Sequence, residues 1–255
     1  LIHGWSQSGL QWYNQITEFS KTHRVLALDL RGHGNSSKVD NGYRIYRLAQ
    51  DVREFMVDLN LEPAVLMGHS MGCTILWAYW DLYGDADVEK MIFVDNSPYP
   101  SDNPTQTGDA RVHANEGLTA DVVYQMALGW ANDDEAGSFS NNFFRQQFTS
   151  NVSDEVYKKA LEQHLLLGRQ HAADLFVNLQ GLDLSDVVSR ITVPSLYVGG
   201  KASLVKWESI VWQAKHAKQG SYALFEEDEG GAHFMFLETS NNFQFTPTVV
   251  NTTTV

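Results

Sequence analysis

The chain has 255 residues; 18 Lys or Arg against 31 Asp or Glu give a formal charge of −13, with 43% hydrophobic and 19% charged residues. That size suits one domain, or one domain with an insertion, and the composition excludes wholesale disorder. The acidic surplus argues against nucleic acid or an anionic membrane as partner, and the single cysteine, Cys73, excludes an internal disulfide framework and a Cys-rich metal site.

Leu1-Ile2 reads as the last step of a strand. Trp12, Ile16 and Phe19 then recur at helical spacing, and Arg24 to Leu30 reads as a second strand. Leu48, Val52, Phe55, Met56 and Leu59 line one face of a helix. Ala64 to Met67 is a strand, Thr74 to Tyr83 a helix stopped by Gly84, and Lys90 to Val94 another strand. This alternation predicts an α/β fold with a mostly parallel sheet covered on both faces by helices. Residues 97–180 lose the strands. Helices are expected over Thr119 to Trp130, from an N-cap at Ser153 to Leu167, and briefly around Leu175, Phe176 and Leu179. This stretch is expected to be a helical cap inserted into a core of residues 1–96 and 181–245. Alternation resumes with a strand over Ser195 to Val198, a helix through Trp207, Ile210, Val211 and Ala214, and a strand over Tyr222 to Phe225. Residues 246–255 form a polar, β-branched tail.

No apolar run is long enough to span a bilayer, so no membrane partner is expected. The chain opens at Leu1, already inside an apolar stretch, which suggests a truncated start. The lone cysteine and the lack of a visible signal favour the cytoplasm, although the compartment itself is unknown from this end. Oligomeric state is not legible.

Gly68-His69-Ser70-Met71-Gly72 fits G-x-S-x-G, between a predicted strand and a predicted helix. A serine on that sharp turn is held above the sheet, with the N–H groups of the following helix aimed at any charge that develops beside it. A tetrahedral acyl intermediate needs two such donors. Met71, after the serine, is one candidate; Trp5, in the His3-Gly4-Trp5 loop after the first strand, is the other.

LIHGW, DLRGHGNS (29–36), GHSMG and GGAHF (230–234), in this order, resemble the α/β-hydrolase superfamily. The serine-nucleophile branch, similar to esterases and cofactor-free haloperoxidases, is nearest, and the resemblance covers residues 1 to about 245. It implies that Asp29, Arg31 and His33 are structural and that no cofactor or metal is needed. Serine at the elbow argues against the branches with an aspartate nucleophile, the dehalogenases and epoxide hydrolases. The resemblance also implies strands ahead of LIHGW and a closing helix after GGAHF; neither is read here, so N-terminal strands are expected to be missing.

The base is expected beyond the last strand, where His233 is the one histidine of nine after Phe225. His113, His164, His171 and His216 read as cap or surface residues. The family usually carries its acid on the turn after the strand at 195–198. That turn is Gly199-Gly200-Lys201-Ala202-Ser203, with Ala202 at the expected position and no carboxylate from Val187 to Trp207. Asp95, ending the strand KMIFV, is the alternative acid. His3, Met126, Trp130, Phe143 and Phe144 are candidate pocket residues for a hydrophobic ester, lactone or aromatic substrate. Three functions compete: a serine hydrolase forming an acyl-enzyme, a cofactor-free dioxygenase of N-heteroaromatic substrates using a His–Asp dyad, and a non-catalytic ligand-binding member of the fold.

Overall fold

The computed structural model describes residues 1–61, 63–85, 87–105, 107, 112–113, 115, 117–134 and 136–238, and the backbone of 250–251. Strands β1 (Ala64–His69), β2 (Val88–Val94), β3 (Ser195–Gly200) and β4 (Gly220–Phe225) lie side by side in chain order, all parallel. On the other side of β1, Ile2 bridges in parallel to both Gly68 and Leu28. The chain therefore steps outward from Ile2 to Leu28 and returns across it to β1. The strand order reverses between Ile2 and β1, and a crevice opens at such a point beyond the C-terminal strand ends.

Two expectations about strands change. Arg24 to Leu30 is extended but bridges only at Leu28, because the ladder beside it is Leu1 and Ile2. The Leu1 ammonium donates to the Leu26 carbonyl at 2.7 Å, and the Leu28 N–H donates to the Leu1 carbonyl at 3.2 Å. Within the expected tail, Val250–Asn251 forms β5, antiparallel to β4; residues 246–249 and 252–255 lie outside the described residues.

Helix α1 (Tyr13–Phe19) follows a short 3-10 turn, and α2 (Ile45–Asp58) buries Leu48, Val52 and Met56. Helix α3 (Met71–Tyr83) is buried continuously from Met71 to Trp80, as its all-round apolar sequence requires. Between β2 and β3 lie α4 (Ala120–Ala131), α5 (Ser138–Arg145), α6 (Asp154–His164), α7 (Arg169–Gln180) and the single turn α8 (Ser185–Val188). Thr119 and Ser153 cap α4 and α6, their side chains accepting from Val122 N–H and Val156 N–H. Helix α6 stops at His164 rather than Leu167. The Arg169 guanidinium takes the carbonyls of both His164 and Leu167, satisfying acceptors that further helix would otherwise have used. Helix α7 runs twelve residues, longer than the short helix expected around Leu175, Phe176 and Leu179. Helix α9 (Trp207–His216) joins β3 to β4, and α10 (Met235–Glu238) follows His233. Among the described residues, no helix is long and apolar enough to cross a membrane.

Candidate active site

The register of the sheet brings the strand ends together. His69 pairs with Val94 and Val94 with Val198, so Ser70 and Asp95 each stand one residue past matched positions. Ser70 N–H donates to the Val94 carbonyl at 2.9 Å and Asp95 N–H to the Val198 carbonyl at 2.7 Å. Both have positive φ, 53° and 54°, a strained turn held by the strand before each. The elbow closes only because two side chains are absent. A Cβ on Gly68 would lie 2.5 Å from the Gly72 carbonyl, and one on Gly72 would lie 2.5 Å from the Ile2 carbonyl.

Asp95 is fully buried and saturated by donors. Its Oδ2 accepts from His233 Nδ1 at 2.6 Å and from Ser203 Oγ at 2.5 Å; its Oδ1 accepts from Gly200 N–H at 3.1 Å. This pairing puts the imidazole proton on Nδ1 and leaves Nε2 as the acceptor. His233 reaches the site because the loop after β4 passes against the end of β3: a Cβ on Gly200 would lie 2.1 Å from the Gly231 carbonyl. The His233 main chain is held on both sides. Its N–H donates to the Gln147 carbonyl at 3.1 Å, and its carbonyl accepts from His69 Nε2 at 2.9 Å.

Ser70 and His233 line one cavity of about 390 Å³. Among the described residues the Ser70 hydroxyl makes no hydrogen bond, to His233 or elsewhere; such contacts often tighten only once substrate is bound. Trp5 also lines this cavity, and its main-chain N–H has no acceptor among the described residues. Met71 opens α3, whose first-turn N–H groups lack a side-chain cap. The Trp5 loop is stitched to α6 and α7: Trp5 Nε1 donates to the Ala172 carbonyl at 2.9 Å, Ser6 Oγ to the His164 carbonyl at 2.7 Å, and Gln7 Nε2 to the Ala160 carbonyl at 3.2 Å.

Of the predicted pocket residues, Met126, Phe143 and Phe144 line the cavity and two do not. Trp130 is fully buried behind it, packed on Trp5 at 4.6 Å and Phe176 at 4.5 Å between ring centroids. His3 is a main-chain brace: Nδ1 donates to the Gly4 carbonyl at 2.8 Å and Nε2 accepts from Leu30 N–H at 3.0 Å. Burial lowers its pKa to about 4, so the ring is neutral. Asp29, Arg31 and His33 have internal partners: Asp29 accepts from Gly9 and Asn35 N–H, Arg31 grips Asp51 through two 2.8 Å bonds, and His33 donates to the Arg31 carbonyl. Cys73 is buried, and desolvation pushes its thiol well up. Among the described residues, no cluster of three His, Cys, Asp or Glu could hold a metal ion.

Several site residues were not anticipated. Ser203 sits on the turn where a carboxylate was expected, one position past exposed Ala202, and donates to the acid instead of supplying it. Asn96 Nδ2 donates to the Ser70 carbonyl and to Thr74 Oγ1, both at 2.8 Å, steadying the elbow. His113 and His164, expected at the surface or in the cap, are both buried, and His164 lines the cavity. His164 shares the apolar spacing of Tyr157, Ala160 and Leu161, which was the available signal.

A family model described as the alpha/beta hydrolase fold matches residues 1–240. The chain is 28% identical over 204 residues to non-heme chloroperoxidase CPO-A1 of Kitasatospora aureofaciens, covering 78% of this chain and 71% of that protein. Among solved structures, an esterase from Exiguobacterium antarcticum superposes with a TM-score of 0.82 at 23% identity, covering 95% of this chain and 87% of that one. An enol-lactonase from Burkholderia xenovorans superposes at 0.76 and 19% identity, covering 95% and 86%. The strand order, the strained serine between β1 and α3 and the match across residues 1–240 agree: the chain belongs to the α/β-hydrolase family.

Proposed function

We propose that this hydrolase-fold chain cleaves a hydrophobic carboxylic ester or lactone through an acyl-enzyme on Ser70. The reading rests above all on the buried Asp95–His233 pair, whose imidazole lines the same cavity as a serine at a strained elbow. Esterase and lactonase neighbours of the same fold support it. Ser70 Oγ attacks the substrate carbonyl as its proton passes to His233 Nε2. The oxyanion is held by the N–H groups of Trp5 and Met71. As the tetrahedral intermediate collapses, the C–O bond to the alcohol breaks and His233 returns the proton to that oxygen, leaving acyl-Ser70. Water then attacks the acyl carbon, giving its proton to His233; the bond from that carbon to Ser70 Oγ breaks, Oγ takes the proton back from His233, and the carboxylic acid leaves. Asp95 holds the tautomer of His233 and stabilises the imidazolium. Its donors, Ser203 Oγ and Gly200 N–H, keep the carboxylate in place.

The test is Ser70→Ala assayed on 4-nitrophenyl esters. Turnover falls by at least about 10⁴-fold with the circular dichroism spectrum unchanged; retained turnover rejects the assignment. The unbonded Ser70 hydroxyl beside a formed His–Asp dyad also suits a cofactor-free oxygenase, in which His233 would deprotonate a heteroaromatic substrate. Oxygen uptake on N-heteroaromatics that survives Ser70→Ala, with no ester turnover by the unmodified chain, selects that second reading.

A further inference from the structure

The cavity wall carries the aromatic rings of Trp5, Phe143, Phe144 and Phe176, and buried polar side chains interrupt them, among them His164, Gln147 and Gln180. Both ring nitrogens of His164, Nε2 of Gln147 and Oε1 of Gln180 have no hydrogen-bond partner among the described residues. His164 is only 1% exposed. Leaving such groups dry and unpaired is costly, and one way a fold tolerates the cost is when a ligand supplies the missing partner. The ring is firmly placed. It stacks on Phe144 at 4.7 Å and 28° and meets Trp5 edge-on at 5.2 Å, while its own carbonyl is tied to Ser6 Oγ and Arg169. Phe144 in turn packs on Phe234, the residue after His233, at 5.2 Å. Burial holds the imidazole well below its usual range, with the nearby Arg169 cation adding to the effect, so the ring is neutral. It presents one N–H donor and one lone pair.

We propose that His164, aided by Gln180 and Gln147, is a specificity-determining residue that selects an ester or lactone whose hydrophobic, preferably aromatic, body carries a hydroxyl or amide away from the scissile carbonyl. The aromatic wall takes the ring of such a substrate, and His164 takes its hydrogen-bonding group. A substrate lacking that group leaves the imidazole unpaired, which is how a polar site rejects an apolar analogue. The inference rests on the ester-hydrolase reading of the same cavity.

The experiment compares 4-nitrophenyl phenylacetate with its 2-, 3- and 4-hydroxyphenyl analogues. The unmodified chain prefers at least one hydroxylated ester by about tenfold or more in kcat/KM, and His164→Phe brings that preference to within about twofold, while His164→Asn keeps part of it. Phenylalanine retains the stacking on Phe144 and breaks no internal side-chain hydrogen bond; should it fail to fold, Gln180→Leu provides the same comparison. The proposal is overturned if the unmodified chain prefers none of the isomers, or if the preference survives His164→Phe and Gln180→Leu. Calorimetric binding of phenylacetamide and the hydroxyphenylacetamides to the Ser70→Ala protein separates the two claims. Selective binding lost with His164→Phe, where the unmodified chain turns over none of the esters, rejects the hydrolase reading while keeping His164 as the residue that selects the ligand. Ester turnover without selective binding does the reverse.

Discussion

Replacing Asp95 with Asn changes one atom in a pocket where every partner is a donor. Oδ2 receives His233 Nδ1 at 2.6 Å and Ser203 Oγ at 2.5 Å, and Oδ1 receives Gly200 N–H at 3.1 Å. An amide has one oxygen to offer. If the oxygen stays on Gly200, the amide NH₂ faces the imidazole and drives its proton to Nε2, the nitrogen needed to accept from Ser70. If the amide turns over, NH₂ is pressed against the buried Gly200 N–H. Either way the imidazolium loses its counter-ion. The expected loss is on the order of 10⁴-fold in kcat, about 5 kcal/mol of transition-state stabilisation. The backbone tolerates the change, because Asn accepts the positive φ of 54° at this position as readily as Asp. Initial rates on 4-nitrophenyl butyrate at pH 8, with a thermal melt to verify folding, read the effect. Adding Ala202→Asp does not restore the rate, since position 202 is exposed while Ser203 holds the inward place on that turn. Asp95→Asn retaining more than about a tenth of kcat, or rescue by the carboxylate at 202, refutes the role given to Asp95.

Ser203→Ala removes one donor from that buried carboxylate; kcat falls roughly tenfold and stability by about 1.5–3 kcal/mol, and a melt and rate both unchanged would show the contact to be idle. Gly72→Ala forces a Cβ to within 2.5 Å of the Ile2 carbonyl, backbone against backbone; a loss of about 1–3 kcal/mol or more is expected, read as a lowered Tm, and an unaltered Tm contradicts the close packing of the elbow. Burial sets the pH dependence of stability through His3, lowered from 6.5 to about 4. Between those values the unfolded chain binds the proton and the folded chain does not, so the contribution of His3 is complete above pH 6.5 and is lost as pH falls toward 4. That loss is about 3 kcal/mol for His3, and His33, His69 and His164, also lowered by burial, act in the same direction. The urea midpoint should drop from pH 7.5 to pH 5; a midpoint that holds or rises rejects the neutral buried imidazoles.

What could be read from the sequence was local or ordered along the chain. G-x-S-x-G between an apolar strand and an apolar helix locates Ser70, because the turn chemistry lies within five consecutive residues. Chain order singles out His233, and the empty position at Ala202 turned attention to Asp95. Strand and helix periods likewise gave the parallel sheet and the interrupting helices. The tertiary structure alone decided which side chains meet. Ser203 reaches Asp95 across 108 residues of chain, His233 reaches it across 138, and Ser6 reaches the His164 carbonyl across 158. A hydroxyl, an amide or an imidazole has no periodic signature, so its partner cannot be inferred from its neighbours in sequence. His3 and Trp130, placed in the pocket on residue type, prove to be a brace and a core ring, while His164, read as a cap or surface residue, lines the cavity. Hydrophobic patterning records how much of an element is buried; only the packing of α6 and α7 over the strand ends determines whether a buried polar group meets the protein or is left for a ligand.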